Sequence, residues 1–281
     1  MSDSGWLEVG RGVFQRRYDP LDVSVVVIVG PTGLTVVDTR NNPAEADEVI
    51  RDVALYFDRP IVAVVNTHAH YDHSFGNQSF AALPGVVIYG HHLIPRHFRK
   101  YEGPRLAAVQ ADPSLESDKR WADVMLTPPG SLIETRRTVT PGGRTIELIP
   151  LDPGHTDTDL AVLVPDCRVW LLGDIIEQSG PPMFGSGSFP LAWPDVLAGL
   201  LRAIEPGDIV VPGHGTVVDR EFVVRQQAAL QTVADTIRSS HAAGTSVDDV
   251  AADHELFALW PAVMLESAFR QGHAHLDATS G

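Results

Sequence analysis

The chain has 281 residues, 44% of them apolar and 20% charged, so it is long enough to bury a sizeable hydrophobic core. Its 36 acidic and 21 basic residues give a formal net charge of −15, which would repel a phosphate backbone, and we therefore expect no nucleic-acid partner. The first residues lack the apolar segment of a secretory signal and no apolar run approaches the length of a bilayer span, so we expect a cytoplasmic protein without a membrane partner.

The first part of the chain predicts strands separated by one helix. Residues 22–38 contain two β-branched runs on either side of a Pro/Gly turn, which predicts a β-hairpin. Residues 41–57 predict a helix, because Asn42 can cap it and Pro43 suits its first position. The apolar run at 61–65 predicts a buried strand. This order of strand, helix and strand indicates a layered α/β architecture.

The second part returns to regular strands after a less regular segment. Residues 91–135 mix short helical patterns with Pro and Gly and predict a lid or an insertion. Strands are then predicted at 137–152, where two flank a "PGG" turn, and at 159–165, 168–176 and 208–215, with a helix at 193–205. Amphipathic helices are predicted from about 219 to 272, and a frayed tail after them. We expect one domain over 1–281, with a core of about 20–220 and a helical C-terminal extension of about 219–272.

Three histidines and an aspartate follow the predicted strand at 61–65 within six positions. His68 and His70 lie two apart in an extended segment, so they share a face and can reach one ion. The turn after them directs Asp72 and His73 elsewhere, so one loop can serve two ions. Neutral imidazoles and a carboxylate are ligands that zinc prefers, and they also suit iron or manganese.

Three further candidate ligands lie beside glycines at predicted strand ends: His155 in "PGHT", Asp174 in "LLGD" and His214 in "PGHG". Glycine allows a sharp turn, and ligand sites in α/β proteins favour strand ends. Each residue alone is more typical of an ordinary loop or cap, but their shared context indicates one metal site. The other histidines, at 91, 92, 97, 241, 254, 273 and 275, lack this context and are expected on the surface or in packing.

In this order, "THAHYDH", "GHT", "LLGD" and "PGHG" resemble the ligand motifs of the metallo-β-lactamase superfamily, and "LTVVDT" resembles its early aspartate motif. The likeness spans roughly residues 20–220. It implies an α/β fold of four layers, the αβ/βα sandwich, with a dinuclear centre at one edge. By this resemblance, the first metal would be held by His68, His70 and His155, the second by Asp72, His73 and His214, with Asp174 bridging and Asp38 orienting the histidine loop.

The resemblance implies a hydrolase that binds two divalent ions, Zn²⁺ before Fe or Mn, and acts on a small-molecule substrate. Two such ions about 3.5 to 4 Å apart lower the pKa of a bridging water toward roughly 7 and polarise a carbonyl or phosphoryl oxygen. Asp72 could orient this nucleophile or pass a proton to the leaving group, which makes it the candidate catalytic residue. A seven-ligand set with a bridging aspartate resembles glyoxalase II-like thioesterases, lactonases and esterases, so we expect an ester, thioester, lactone or lactam substrate.

Two other activities stay open. A sulfur dioxygenase of the same fold would keep the motif residues while binding a single iron, and a phosphodiesterase would use the same centre on phosphorus. Antibiotic-inactivating β-lactamases are disfavoured, because they typically lack an aspartate at the position of Asp174 and carry an export signal.

The substrate contacts are less strongly indicated. Met183, Phe184, Phe189 and Trp193 are expected either to form an apolar pocket wall or to pack in the core. Arg96, Arg99 and Lys100 could attract an anionic substrate or form a solvated helix face. The terminal helices could form part of the substrate wall or a homodimer contact.

Overall fold

The structure is a computed structural model that describes residues 5–250 and 260–279. Its strands are β1 (Leu7–Gly10), β2 (Val13–Tyr18), β3 (Val23–Val29), β4 (Leu34–Val37), β5 (Ile61–Val65), β6 (Val87–His91), β7 (Ser131–Ile133), β8 (Arg137–Val139), β9 (Ile146–Pro150), β10 (Leu160–Val164), β11 (Val169–Glu177) and β12 (Ile209–His214).

The helices are α1 (Pro43–Tyr56), α2 (Tyr71–Ser74), α3 (Asn77–Ala81), α4 (Ile94–His97), α5 (Gly103–Ala111), α6 (Trp193–Leu201), α7 (Arg220–Ala243), α8 (Val247–Val250) and α9 (Ala262–Thr279). A π-helical turn (Phe98–Glu102) joins α4 to α5, and single 3-10 turns lie at Pro113–Glu116 and Pro141–Gly143. No helix of the described part of the chain combines the length and apolarity needed to cross a bilayer.

The strands form two half-sheets that meet at one point. The N-terminal half runs β7-β6-β5-β4-β3, with β2 and β1 beyond β3, and the C-terminal half runs β12-β11-β10-β9-β8. Between the halves, β12 pairs with β3 only at His214 and Val23. The carboxyl end of β12 therefore lies where the two halves join.

Three hydrophobic clusters show how the layers stack. In β3, Val26 and Ile28 face a cluster shared with strands of the other half, whereas Val25 and Val27 face a second cluster with α1. A third cluster packs the outer face of β10 and β11 against α6, α7 and α9. Because successive strand residues point to opposite faces, the order is helix, sheet, sheet, helix. This arrangement confirms the predicted αβ/βα sandwich.

Most predicted elements of the first part are present. The hairpin pairs β3 with β4 at Val26 and Val37, and α1 begins at Pro43, with the Asn42 side chain accepting a hydrogen bond from the Glu45 backbone N–H. These agreements reflect local signals, namely turn residues between β-branched runs and a capping residue before a proline.

The prediction of a frayed tail after residue 271 is wrong, because α9 continues to Thr279. Its second half packs beside α7, where the His241 Nε2 lies 2.8 Å from the Asp277 Oδ1 and a Cβ on Gly272 would lie 2.5 Å from the Ile237 side chain. Tertiary contact thus stabilises a segment whose composition predicted fraying. Residues 251–259 of the predicted helical extension lie outside the described residues, and the domain boundaries stay a prediction.

Candidate metal centre

Four separate segments bring the predicted ligands to the junction of the half-sheets. His68 and His70 lie in the loop after β5, and Asp72 and His73 follow in the short helix α2. The remaining three come from the loop after β9, from β11 and from the end of β12, and they are His155, Asp174 and His214. All seven side chains are buried.

The first group consists of His68, His70, His155 and Asp174, whose ligand atoms all lie within 4.8 Å of one another. The His155 Nε2 lies 2.9 Å from the His70 Nδ1. One carboxylate oxygen, Asp174 Oδ2, is 3.6 Å from the His68 Nε2 and 3.5 Å from the His155 Nε2. The predicted ligands of a first ion therefore converge.

The second group consists of Asp72, His73 and His214. The His73 Nε2 lies 3.2 Å from the His214 Nε2, and the Asp72 Oδ2 lies 3.5 Å from the same His214 atom. Asp174 reaches this group as well, with its Oδ1 3.1 Å from the His73 Nε2 and its Oδ2 3.4 Å from the His214 Nε2. Asp174 therefore lies between the two groups, as a bridging ligand must.

Close packing of the backbone places Asp174 at this position. Gly213 precedes His214 on β12, and a Cβ at Gly213 would lie 1.9 Å from the Asp174 Oδ1. Any larger residue would displace the carboxylate. The glycine of the "PGHG" motif is thus explained by the approach of β12 to the carboxylate on β11.

The donor set fits divalent cations. The His68 Nε2 and the Asp174 Oδ1 are buried and have no hydrogen-bond partner among the described residues. Burial lowers the pKa of His70 to about 4 and that of His155 to about 3, so both imidazoles are neutral near pH 7. Buried lone pairs that converge without a donor between them are satisfied by a metal ion.

In the second group, the pKa values depend on neighbouring charges as well as on burial. Burial opposes ionisation of Asp72, but His73 and His214 lower its pKa to about 2. Burial likewise opposes protonation of His73, yet Asp174 and Asp38 raise the pKa of this histidine well above its usual value. A proton and a cation therefore compete for the nitrogens of this group.

Three candidate histidines use the ring nitrogen that faces away from the groups to donate to an oxygen. The His73 Nδ1 lies 2.8 Å from the Asp38 Oδ2, the His214 Nδ1 lies 2.6 Å from the Leu21 carbonyl and the His70 Nε2 lies 3.0 Å from the Ser186 carbonyl. An N–H at the far nitrogen directs the lone pair of the near nitrogen at the group, which is how metal-binding histidines are held.

Asp38 lies beside the segment that it is predicted to orient. In addition to contacting His73, it accepts hydrogen bonds from the Thr67 backbone N–H and the Thr67 hydroxyl, both at 2.8 Å. Its φ of +66° is unfavourable for a residue other than glycine, and such strain persists where surrounding contacts impose it. These contacts connect the start of the loop that carries His68 and His70 to the end of β4.

A third cluster of titratable side chains was missed by reasoning from the sequence. His97, expected on the surface or in packing, is buried with its ring centroid 5.7 Å from that of His70 and its Nδ1 2.7 Å from the Asp157 Oδ1. Its Nε2 lies 3.9 Å from the Glu102 Oε1, and burial raises the pKa of Glu102 to about 7. The one feature of the sequence that could have pointed to this cluster is Asp157, which lies two positions after the candidate ligand His155. His254 lies outside the described residues.

A cavity of about 470 Å³ opens onto both groups. Of the predicted wall residues, Met183 lines this cavity. Phe184 and Trp193 are instead buried in the outer core. There the ring centroid of Trp193 lies 5.2 Å from that of His155. Phe189 and Lys100 line a second cavity of about 570 Å³, which shares the segment 185–186 with the first. Arg96 and Arg99 are exposed and line neither cavity.

Comparison with known proteins defines the class of this fold and site. The family model of the metallo-beta-lactamase superfamily matches residues 18–214, and the chain belongs to this superfamily. It is 26% identical over 222 residues to "Metallo-beta-lactamase domain-containing protein 1" of Xenopus laevis, covering 74% of this chain and 75% of that protein. It is 22% identical over 223 residues to "Metallo-beta-lactamase type 2" of Bacillus cereus, covering 78% and 76% respectively.

Two solved structures share the fold. The sec-alkylsulfatase Pisa1 from Pseudomonas sp. superposes with a TM-score of 0.75 at 18% identity, covering 95% of this chain and 50% of that chain. The metallo-β-lactamase from Hirschia baltica gives a TM-score of 0.59 at 20% identity, covering 80% and 96%. This chain thus spans half the length of the alkylsulfatase. At these identities the likeness shows the fold, and the predicted glyoxalase II-like branch stays a prediction.

Proposed function

We propose that the protein is a metal-dependent hydrolase that holds two divalent ions, Zn²⁺ foremost, and cleaves an ester, thioester, lactone or lactam bond of a small molecule. The observation that carries this proposal is the position of Asp174 between two groups of buried ligand atoms. Membership of a superfamily whose members are generally hydrolases supports it.

Each ion would have its own set of ligands. His68, His70 and His155 would hold the first ion, Asp72, His73 and His214 would hold the second, and Asp174 would contribute to both. When bound, two such ions supply an activated water and polarise the carbonyl oxygen of the substrate. The cavity of about 470 Å³ has room for a small organic molecule beside them.

The protein's own groups would position the reactants. Asp72 lines the cavity, so its carboxylate can orient the attacking water and carry a proton to the leaving group. Asp38 holds the His73 Nδ1–H and so keeps the Nε2 of that ring directed at the second group. The location in the cytoplasm and a homodimer remain expectations from the sequence.

Metal analysis coupled to a substrate panel tests the proposal. The purified protein would be reconstituted with Zn²⁺, Mn²⁺ or Fe²⁺, its metal content measured, and its turnover followed on an ester, a thioester, a lactone, a β-lactam and a phosphodiester. We expect two ions per chain and turnover of at least one carbonyl substrate.

The results that would contradict the proposed hydrolase can be told apart. One iron per chain with oxygen uptake would identify a dioxygenase, and turnover of the phosphodiester alone would replace the substrate class. His70→Ala should abolish turnover, whereas the matched variant His241→Ala, which removes a histidine outside both groups, should retain it. Full activity in His70→Ala would contradict the proposed centre.

A further inference from the structure

Arg105 on α5 is the one lysine or arginine among the described residues that line the cavity at the candidate metal centre. It comes from the helical part of the predicted insertion rather than from the segments that supply the candidate ligands. The other charged side chains of the lining are Asp72 and Asp174, which belong to the ligand groups, and Glu177. Arg105 therefore provides the cationic donor of this cavity.

The guanidinium of Arg105 is fixed in advance. Its Nε and Nη2 donate to the two oxygens of Glu116 at 2.7 and 2.6 Å. Its central carbon lies 4.7 Å from the ring centroid of Tyr71 and 5.1 Å from that of Trp121. A bidentate ion pair and two aromatic contacts restrict its rotation, so little conformational entropy remains to be lost on binding a ligand.

The same guanidinium retains donors. A guanidinium carries five N–H groups, and Glu116 takes one from Nε and one from Nη2. No residue of the described part of the chain accepts a hydrogen bond from Nη1. Both Nη1 hydrogens and the second Nη2 hydrogen therefore remain, and the edge between these nitrogens matches a planar carboxylate.

We propose that Arg105 anchors a carboxylate of the substrate, so that the substrate class is a carboxylate-bearing ester, thioester or lactone. Leu21, Met183 and Met264 line the same cavity and would contact an apolar segment between the carboxylate and the reacting carbonyl. A chain with a net charge of −15 repels anions at long range, so recognition of an anionic substrate needs such a local donor. The inference rests on the proposed hydrolase function.

A pair of esters with one leaving group tests the inference. The 4-nitrophenyl monoester of suberic acid carries a free carboxylate, and its methyl ester is the neutral counterpart. In Arg105→Ala, we expect kcat/KM for the anionic ester to fall about 10- to 100-fold through KM, since a hydrogen bond to a charged group contributes about 1.5–3 kcal/mol. For the neutral ester we expect less than about a threefold change, and for Arg105→Lys an intermediate loss.

The control is Arg99→Ala, which removes the same charge from an exposed position of the same insertion and should leave both esters unchanged. Equal losses for both esters in Arg105→Ala, at unchanged metal content, would overturn the inference, and so would no loss for either.

If the metal-loaded wild type cleaves neither ester, the substrate panel decides the proposed function, and binding decides the inference separately. Calorimetry would then compare the affinity of suberate for the wild type and for Arg105→Ala. About tenfold weaker binding to the variant would support the anchor, and equal binding would overturn it.

Discussion

The two sides of the cavity at Asp174 are built in different ways. On the strand side, the candidate ligands lie in or after β5, β9, β11 and β12, so their positions depend on backbone pairing and on close approaches such as that at Gly213. On the insertion side, side-chain contacts hold the wall, including the Arg105–Glu116 pair and the Trp121 ring, whose Nε1–H donates to the Asn41 side chain at 2.7 Å. We infer that the strand side determines metal binding and that Arg105, on the insertion side, contributes to recognition of the substrate.

The largest expected effect is that of Asp174→Ala, on the strand side. This change removes the carboxylate between both ligand groups, so we expect loss of at least one ion and a fall in kcat/KM of roughly 10³-fold or more, corresponding to several kcal/mol of transition-state stabilisation. Asp195→Ala, an exposed aspartate on α6, is the control for the charge change. Activity within about tenfold of wild type would show that the two groups act independently of Asp174.

Next in size is Asp38→Asn, beneath the strand side. The amide keeps the shape of the side chain but loses the charge that holds the His73 Nδ1–H, so we expect metal affinity or activity to fall about 10- to 100-fold. Competition with a chelator would measure the affinity, with Asp195→Asn as control. An unchanged metal affinity would show that Asp38 does not support metal binding.

A smaller effect is expected where the two sides meet. Asp157 lies two positions after His155 and contacts His97, whose ring packs on His70. Because Asp157→Asn acts on His70 through a second residue, we expect a loss in kcat of about 3- to 10-fold, below the range for direct partners of a ligand, with little change in KM. A change confined to KM would place His97 on the substrate side instead.

The smallest effect is expected for Trp121→Phe, on the insertion side. The variant keeps an aromatic ring beside Arg105 but loses the hydrogen bond to Asn41, so we expect KM for the anionic ester to rise about threefold and metal content to stay at two ions. Trp260→Phe, outside the cavity lining, is the matched control. Loss of an ion in Trp121→Phe would contradict the division between the two sides.

The strand side was largely predictable from the sequence. The Pro/Gly turn before Leu34 and the Asn42 cap are local signals of elements that the structure confirms. The glycine before each of His155, Asp174 and His214 marked these residues as candidate ligands, and that role stays a prediction. That these ligands meet followed from the resemblance, since their separation along the chain says nothing about distance in space. The structure adds the distances that make the assignment testable.

The insertion side was not predictable in the same way. Arg105 and Trp121 lie in a segment without clear periodicity, and their contacts with Tyr71 join parts of the chain that no local pattern connects. The π-helical turn that brings Glu102 near His97 departs from the 3.6-residue period on which sequence patterns rest. Tertiary contact likewise decides the helix at the C-terminus, where composition predicted fraying.

Anomalous X-ray diffraction at the zinc edge, on crystals grown with Zn²⁺, tests the central claim most directly. Two peaks about 3.5 to 4 Å apart are expected, one among the first ligand group and one among the second, with the Asp174 carboxylate between them. A single peak, or peaks that lie away from these histidines, would contradict a dinuclear centre in this protein.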